Sequence, residues 1–176
     1  MTVGARRTAR IVVTGSECTG KTTLALALAG ALGAPCVPEF ARAYAEAKGR
    51  VLDASDVEPI ARGQMTAEDR VVETGVPLAV LDTDLVSTVV YARHYYGACP
   101  AWIEAAARQR LGTLYLLCDV DLPWQADDVR DRPRHRVELH AAFVATLEAC
   151  EARVALVRGV GDERFALARL AVERLT

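Results

Sequence analysis

The sequence predicts a single three-layer α/β domain, in which helices cover both faces of a central parallel sheet of about five strands. Short apolar segments rich in β-branched residues alternate along the chain with segments of helical periodicity. The apolar segments do not alternate between polar and apolar residues, which indicates strands buried on both faces. A chain of 176 residues is long enough to bury one sizeable core. We therefore expect one domain spanning residues 1–176.

The predicted strands are short apolar runs, and the first of them shows the pattern most simply. Its residues after Arg10 are Ile-Val-Val-Thr, a β-branched run that ends at Gly15 and leads into a turn. The predicted strands cover residues 10–15, 34–37, 75–81, 114–118 and 153–157.

The segments between the strands have helical character. Residues 21–32 are rich in Ala and Leu, place Leu24 and Leu28 on one face, and stop at Gly33. Asp53 or Ser55 is expected to cap a later helix. The other predicted helices cover residues 39–48, 53 or 55 to about 73, 85–96, 100–110, 137–151 and 161–175.

Composition and charge narrow the classes of partner. The formal net charge is −2, so no general electrostatic field attracts the chain to nucleic acid or to a membrane. The longest apolar run, residues 24–34, is too short to cross a bilayer, and we expect no signal peptide. The five cysteines form no C-x-x-C pair, which predicts reduced, buried thiols in a cytoplasmic protein. The expected partners are small molecules, and the sequence leaves the oligomeric state open.

A phosphate-binding loop follows the first predicted strand. The run GSECTGKT at residues 15–22 fits the pattern G-x-x-x-x-G-K-S/T between a strand and a helix. Glycines let the backbone fold around an anion, and the helix N-terminus adds partial positive charge. Lys21 is expected to reach the β- and γ-phosphates, and the Thr22 hydroxyl to ligate Mg²⁺. The predicted ATP-binding residues of this loop are Gly15, Glu17, Cys18, Thr19, Gly20, Lys21, Thr22 and Thr23.

Carboxylates follow two predicted strands at the edge where ligands bind in open parallel sheets. Asp82 directly follows an apolar strand, which is the position of an acid that holds Mg²⁺ or its water shell. Asp82 or Asp84 alternatively caps the next helix, and the two carboxylates flanking Thr83 can divide these roles. Glu39 either accepts a substrate hydroxyl proton or is a first-turn helix glutamate that favours the helix dipole.

An arginine-rich segment, DVDLPWQADDVRDRPRHR at residues 119–136, follows the strand predicted at 114–118. One interpretation is a solvated loop of alternating charge. The other is a lid over the phosphates, whose arginines neutralise the transferring group and exclude water. In a lid, we expect Arg130 and Arg134 to reach ATP. Trp124 either stacks on a flat ring or anchors the segment on the core.

GTPases, motor ATPases and small-molecule kinases all contain a phosphate loop of this kind. A GTPase requires a guanine-reading N-K-x-D motif, and neither of the two lysines, Lys21 and Lys48, lies in one. Motor ATPases are usually larger. A compact domain with an arginine-rich lid therefore favours a small-molecule kinase of the P-loop NTPase fold, similar to nucleoside and nucleotide kinases.

Further motifs, in order along the chain, match a known family. They are GSECTGKTTL at 15–24, PEFAR at 38–42, LDTDLVST at 81–88, YYG at 95–97, PWQADDVR at 123–130 and GDERF at 161–165. Through them the chain, from about Ile11 to Arg164, resembles the nicotinamide riboside kinase domain of bacterial NadR-type proteins. The resemblance implies a P-loop kinase that uses ATP to phosphorylate the riboside to nicotinamide mononucleotide.

The resemblance also implies roles for individual residues. Asp82 and Asp84 would serve the metal and the riboside, and Arg130 the phosphates. Trp124 would lie near the nicotinamide ring and Asp127 near the ribose or a lid hinge. Because the ring of nicotinamide riboside is positively charged, acidic and aromatic neighbours would favour its binding. The implied catalytic residues are Lys21, Glu39, Asp82 and Arg130, and the implied substrate-binding residues are Glu39, Arg42, Asp82, Asp84, Trp124 and Asp127. Tyr44 and Tyr91 are also expected at the substrate, as aromatic neighbours that favour a positively charged ring.

NadR-type proteins place a nucleotidyltransferase domain before this kinase, whereas here only a short segment precedes the first predicted strand. We therefore expect a stand-alone kinase without adenylyltransferase or repressor activity. Two alternatives stay open at this point. One is a kinase for another nucleoside, which shares the phosphate chemistry and differs in the base pocket. The other is a nucleotide-binding regulatory module that turns over ATP slowly.

Overall fold

The computed structural model of the protein describes residues 8–122 and 133–175, apart from the side chains of residues 133 and 134. Its strands are β1 (Ala9–Thr14), β2 (Cys36–Val37), β3 (Leu78–Asp82), β4 (Leu114–Cys118) and β5 (Val154–Val157). They form one sheet of five strands in the order β2-β3-β1-β4-β5, and every neighbouring pair is parallel. The predicted fold class is confirmed.

The helices occupy the segments between the strands, as predicted. The first covers Lys21–Leu32 and is followed by Gly33, which caps its C-terminus with a φ of 60°. Gly49 ends the second with a φ of 61°. The helices within the described residues are α1 (Lys21–Leu32), α2 (Phe40–Lys48), α3 (Val57–Val72), α4 (Leu85–Tyr96), α5 (Ala101–Gln109), α6 (Pro133–Ala149) and α7 (Asp162–Glu173).

Some predicted boundaries are wrong, and prolines account for two of them. β3 begins at Leu78 rather than at residue 75, because Pro77 has no N–H to donate to a neighbouring strand. α6 begins at Pro133 rather than at residue 137, since proline suits the first turn of a helix. The cap on Asp53 precedes a 3-10 turn at Ala54–Asp56 instead of α3 itself, and its carboxylate accepts a hydrogen bond from the Ser55 N–H at 2.8 Å.

The hydrophobic core lies on both faces of the sheet, which makes three layers. Ile11 and Val13 of β1 are 0% exposed and belong to the cluster that includes residues of α1 and α7. Val12, between them, is 1% exposed and belongs to the cluster that includes residues of α3, α4, α5 and α6. Because the successive side chains of Ile11, Val12 and Val13 are all buried, this part of β1 shows no alternation of polar and apolar residues.

Two further expectations are tested by the fold. Cys118 is a buried thiol, but the prediction of burial is wrong for the other cysteines, which are half-buried: Cys18, Cys36, Cys99 and Cys150. Within the described part of the chain, no helix combines the length and the hydropathy that crossing a bilayer requires.

Candidate active site

The loop between β1 and α1 has the backbone conformation that its glycines predict. Gly15 and Gly20 have φ values of 136° and 74°. A Cβ atom on Gly15 would lie 2.8 Å from the carbonyl oxygen of Cys118 at the end of β4, so a larger residue does not fit there. Gly20 precedes α1, whose first N–H groups therefore face the loop, and this favours an anion.

Lys21 is the basic side chain of this loop. It is 9% exposed, and its Nζ donates a hydrogen bond to the Ser16 carbonyl at 2.7 Å. The Thr19 hydroxyl donates to the same carbonyl at 2.8 Å. The lysine head group is therefore held against the backbone of the loop, and in loops of this sequence that backbone and the lysine bind the phosphates of a nucleotide.

Two arginines from distant segments support the loop through its carbonyl groups. Arg164, 4% exposed, donates from Nη1 to the Thr19 carbonyl at 2.5 Å and from Nε to the Gly159 carbonyl at 2.8 Å. Arg136, 7% exposed, donates from Nη2 to the Cys18 carbonyl at 3.3 Å. These contacts attach the loop to the segments that follow β5 and begin α6.

Thr22 and Asp82 form the part of the site that fits Mg²⁺. The Thr22 hydroxyl donates to Asp82 Oδ2 at 2.6 Å. Asp82 is 3% exposed, and among the described residues its Oδ1 is a buried oxygen without a hydrogen-bond partner. Burial raises the pKa of Asp82, and the negative charge of Glu39 adds to this effect. A hard divalent cation would use both oxygen donors and favour the ionised carboxylate, so these residues fit the ion.

A cavity of about 610 Å³ opens beside the phosphate loop. Glu17 and Lys21 line it on the loop side, and Glu39 and Arg42 line it from the start of α2. Glu39 is 15% exposed, and its carboxylate lies 3.8 Å from the Arg42 guanidinium. The volume lies within the usual range for small-molecule sites.

Tyrosines from α4 form another wall of this cavity. Tyr91 and Tyr95 stack with their ring planes 6° apart and their centroids 6.1 Å apart, and Tyr96 also lines the cavity. The Tyr95 hydroxyl donates to the Glu17 carboxylate at 3.2 Å. The aromatic wall is thereby joined to the phosphate loop.

A chain of buried polar side chains holds the start of α2, next to Glu39. The N–H of Phe40 donates to Gln64 Oε1 at 3.0 Å, and Gln64 Nε2 donates to Glu68 at 3.2 Å. Glu68 in turn lies 3.3 Å from the Arg110 guanidinium. Gln64 and Glu68 are each 2% exposed, so the position of Glu39 depends on groups inside the core.

Comparison with known proteins identifies the family. The family model described as an AAA domain, AAA_28, matches residues 10–164. The chain belongs to this family.

The chain is also similar to NadR proteins, which confirms the predicted resemblance. It is 28% identical over 124 residues to the trifunctional NAD biosynthesis/regulator protein NadR of Salmonella typhimurium and to that of Escherichia coli. The match covers 68% of this chain and 30% of each relative. The chain thus spans less than a third of the length of these curated relatives.

Solved structures agree with the fold. A NadR protein in complex with NR has a TM-score of 0.76 and 26% identity, and the match covers 96% of this chain and 50% of that one. A NadR protein in complex with NAD and AMP-PNP has a TM-score of 0.79 at 26% identity, covering 97% and 50%. Thymidylate kinase from Ehrlichia chaffeensis, at 14% identity, has a TM-score of 0.69 and covers 96% and 98%, which shows a shared fold. This AAA-family chain has the fold of P-loop kinases.

Within this family fold, the acidic pair flanking Thr83 divides its roles. Asp84 caps α4 by accepting the Val86 N–H at 3.0 Å, and its other oxygen accepts the Tyr115 hydroxyl at 2.6 Å. Both oxygens are therefore engaged inside the protein, which favours the capping alternative over contact with a riboside. Thr83 has a φ of 71°, and this left-handed turn separates the two carboxylates.

The remaining predicted residues fall into two groups. Tyr44 was predicted to contact substrate, but its hydroxyl donates to Asp56 at 3.0 Å, and this bond favours a structural role. Thr23 is exposed on α1. The other group lies outside the described residues and consists of Trp124, Asp127, Arg130 and the side chain of Arg134.

Sequence reasoning missed three contributors to the site: Arg164, Tyr95 and Gln64. The first two lie in the motifs GDERF and YYG, so the motifs marked their positions without indicating their contacts. Gln64 lies in no quoted motif, and its hydrogen bond to Phe40 joins residues 24 positions apart.

Proposed function

We propose that the chain is an ATP-dependent kinase that phosphorylates the 5′-hydroxyl of nicotinamide riboside to give nicotinamide mononucleotide. The observation that carries the proposal is the junction of the phosphate loop with the cavity, since Lys21 belongs to both. A nucleoside in a cavity of about 610 Å³ would therefore lie next to the terminal phosphate of a nucleotide on the loop.

The donor end of the site has the groups that phosphoryl transfer requires. Lys21 would contact the β- and γ-phosphates, and Thr22 and Asp82 would hold Mg²⁺, which neutralises charge on the phosphates. Arg130 and Arg134 stay predictions for further phosphate contacts. These groups would act by stabilising the negative charge of the transferring phosphoryl group.

At the acceptor end, Glu39 would orient the 5′-hydroxyl. It lines the cavity, and the Phe40–Gln64 hydrogen bond holds the first turn of α2 beside it. Because the transition state of phosphoryl transfer is loose, positioning the hydroxyl matters more than strong base catalysis. Arg42 lies 3.8 Å from the Glu39 carboxylate and limits its orientation. Trp124 and Asp127 stay predictions for the ring and ribose.

The aromatic wall favours a cationic ring. Tyr91 and Tyr95 line the cavity beside the carboxylate of Glu17, and a positively charged nicotinamide is attracted both to aromatic faces and to negative charge. The similarity to a NadR protein in complex with NR supports the same substrate. A kinase for a neutral purine or pyrimidine nucleoside is the alternative, because the phosphate chemistry would be unchanged.

The test measures ADP release and product mass with Mg²⁺-ATP and a panel of nucleosides that includes nicotinamide riboside. The variant Lys21→Ala is expected to lower turnover by about two to three orders of magnitude, because it removes a charge aimed at the transferring group. Lys48→Ala is the matched control, since the chain's other lysine is 41% exposed and pairs with Asp56 at 3.6 Å. It is expected to keep wild-type turnover.

The outcomes separate the alternatives. Preferred phosphorylation of a purine or pyrimidine nucleoside would keep the kinase chemistry and discard nicotinamide riboside. ATP binding without nucleoside-stimulated ADP release would instead support a regulatory nucleotide-binding module. A folded Lys21→Ala protein with undiminished turnover would contradict the assignment of the phosphate loop. The cytoplasmic location expected from the sequence stays a prediction.

A further inference from the structure

Two histidines and a glutamate converge at the rim of the cavity, outside the residues assigned to phosphoryl transfer. His94 lies in the last turn of α4, and His135 and Glu138 lie in the first turns of α6. One ligand atom from each lies within 4.8 Å of the other two. The two imidazole rings are 5.1 Å apart with an interplanar angle of 78°. His135 also lines the cavity.

We propose that His94, His135 and Glu138 form a binding site for a first-row divalent transition-metal ion such as Zn²⁺. Two imidazoles and one carboxylate are a donor set that Zn²⁺ uses with a further position left to water or another ligand. This site is distinct from the Mg²⁺ position at Thr22 and Asp82, where the donors are all oxygen.

The ligand atoms must move closer together to close on an ion. Tetrahedral coordination at about 2.0–2.1 Å places donor atoms roughly 3.3 Å apart, whereas the ligand atoms here lie within 4.8 Å of one another, so a pair of them approaches by at most about 1.5 Å. Glu138 is exposed, and among the described residues its carboxylate forms no hydrogen bond or ion pair, whereas the half-buried histidines are held by their ring contacts. Among the described residues, neither imidazole forms a hydrogen bond or an ion pair, so their nitrogens are not committed to another group.

The local electrostatics suit a cation. His94 lies at the C-terminal end of α4, where the helix dipole favours positive charge. The N-terminal turn of α6 opposes a cation, but Glu138 places a negative charge in that same region.

Metal binding here would join two elements at the cavity. The Tyr95 ring lies 4.9 Å from His94 and 6.5 Å from His135, and its hydroxyl donates to Glu17 of the phosphate loop. An ion bound to both histidines would therefore tie α4 to α6 beside the residue that connects the aromatic wall to the loop.

The experiment titrates Co²⁺, a spectroscopic substitute for Zn²⁺, into tag-free protein without nucleotide and records visible absorption and binding heat. The wild type is expected to bind one ion with a d–d spectrum of nitrogen and oxygen ligands. His94→Ala and His135→Ala are expected to weaken binding by at least about tenfold, since each removes a ligand. Glu138→Gln, a change at an exposed position that leaves the fold intact, is expected to weaken it as well.

His140→Ala is the matched control, because this histidine lies on the same helix but pairs with Asp119 at 3.9 Å. It is expected to bind Co²⁺ like the wild type. A second readout is the unfolding temperature, which Zn²⁺ is expected to raise for the wild type and for His140→Ala but not for His135→Ala. Equal binding by all variants, no binding by the wild type, or a thiolate-to-cobalt charge-transfer band would overturn the proposal. None of these measurements depends on kinase activity.

Discussion

The substitution Glu68→Gln tests whether a buried carboxyl group beside the site is protonated in the folded protein near neutral pH. Glu68 is 2% exposed, and burial raises its pKa from 4.5 to about 7, despite the favourable charge of Arg110. The pKa of the Arg110 guanidinium is also raised, because the effect of burial, which lowers it, is outweighed by the negative charges of Asp69 and Glu68. The desolvation penalty of the ionised Glu68 carboxylate is thus larger than the stabilisation that the neighbouring guanidinium charge provides.

The pKa difference sets the size of the effect. Between the pKa in the unfolded chain and the raised pKa in the folded protein, the unfolded chain releases a proton that the folded protein retains. Rising pH therefore favours unfolding, so the contribution of Glu68 is fully present below about pH 4.5 and is lost as the pH passes through about 7. At about 1.4 kcal/mol per pKa unit, this loss is roughly 3 kcal/mol.

Urea unfolding at a series of pH values measures the effect. The difference in free energy of unfolding, Glu68→Gln minus wild type, is expected to rise by about 3 kcal/mol between pH 4 and pH 8. The control Glu58→Gln lies on the same helix, where its side chain is 50% exposed and 3.7 Å from Arg62. Such a surface pair is expected to change the free energy by less than about 1 kcal/mol. Parallel curves for wild type and Glu68→Gln would refute the reasoning and show that the pKa of Glu68 is the same in the folded and the unfolded chain.

Two further substitutions test the supports of the site. Gly63→Ala places a Cβ against the ring of Phe40, so this substitution is expected to displace the start of α2 and to raise KM for the nucleoside. The control is Gly30→Ala, at a helical glycine with open space around it, which is expected to stabilise the protein by about 1 kcal/mol. Tyr115→Phe removes the hydroxyl that donates to buried Asp84 at 2.6 Å. Urea unfolding is expected to show a loss of about 1–3 kcal/mol, and an unchanged free energy of unfolding would contradict this expectation.

The features that could be predicted from sequence are those set by local physics. The helix at Lys21–Leu32 has its predicted bounds because Ala and Leu favour helix, and Gly33 ends it in the left-handed conformation. The strand Leu114–Cys118 has its predicted bounds because it is apolar throughout. Asp82 could be placed near Thr22 because parallel strands bring their carboxyl ends to one edge of the sheet.

The features that sequence reasoning missed depend on contacts between distant residues. Arg164 reaches the Thr19 carbonyl across 145 positions, and Tyr95 reaches Glu17 across 78. An arginine or a tyrosine near a helix end has many equivalent surface positions, so no local pattern indicates the partner. Asp84 shows the converse: it matched a family motif, yet its surroundings engage both oxygens inside the protein.

The position of the site follows from the sheet topology. β1 and β3 are neighbours, with Val13 in register with Asp82. After β1 the chain turns to α1, which packs on one face of the sheet, whereas after β3 it turns to α4, which packs on the other. The two connections therefore diverge, and ligands bind in such a crevice at the carboxyl edge of the sheet.

Thr83 is the residue at which the connection after β3 turns away from the sheet, and its φ of 71° is unfavourable for a β-branched residue. The strained turn leaves Asp82 facing Thr22 while Asp84 anchors α4, so one short segment both opens the crevice and places the acid at its base.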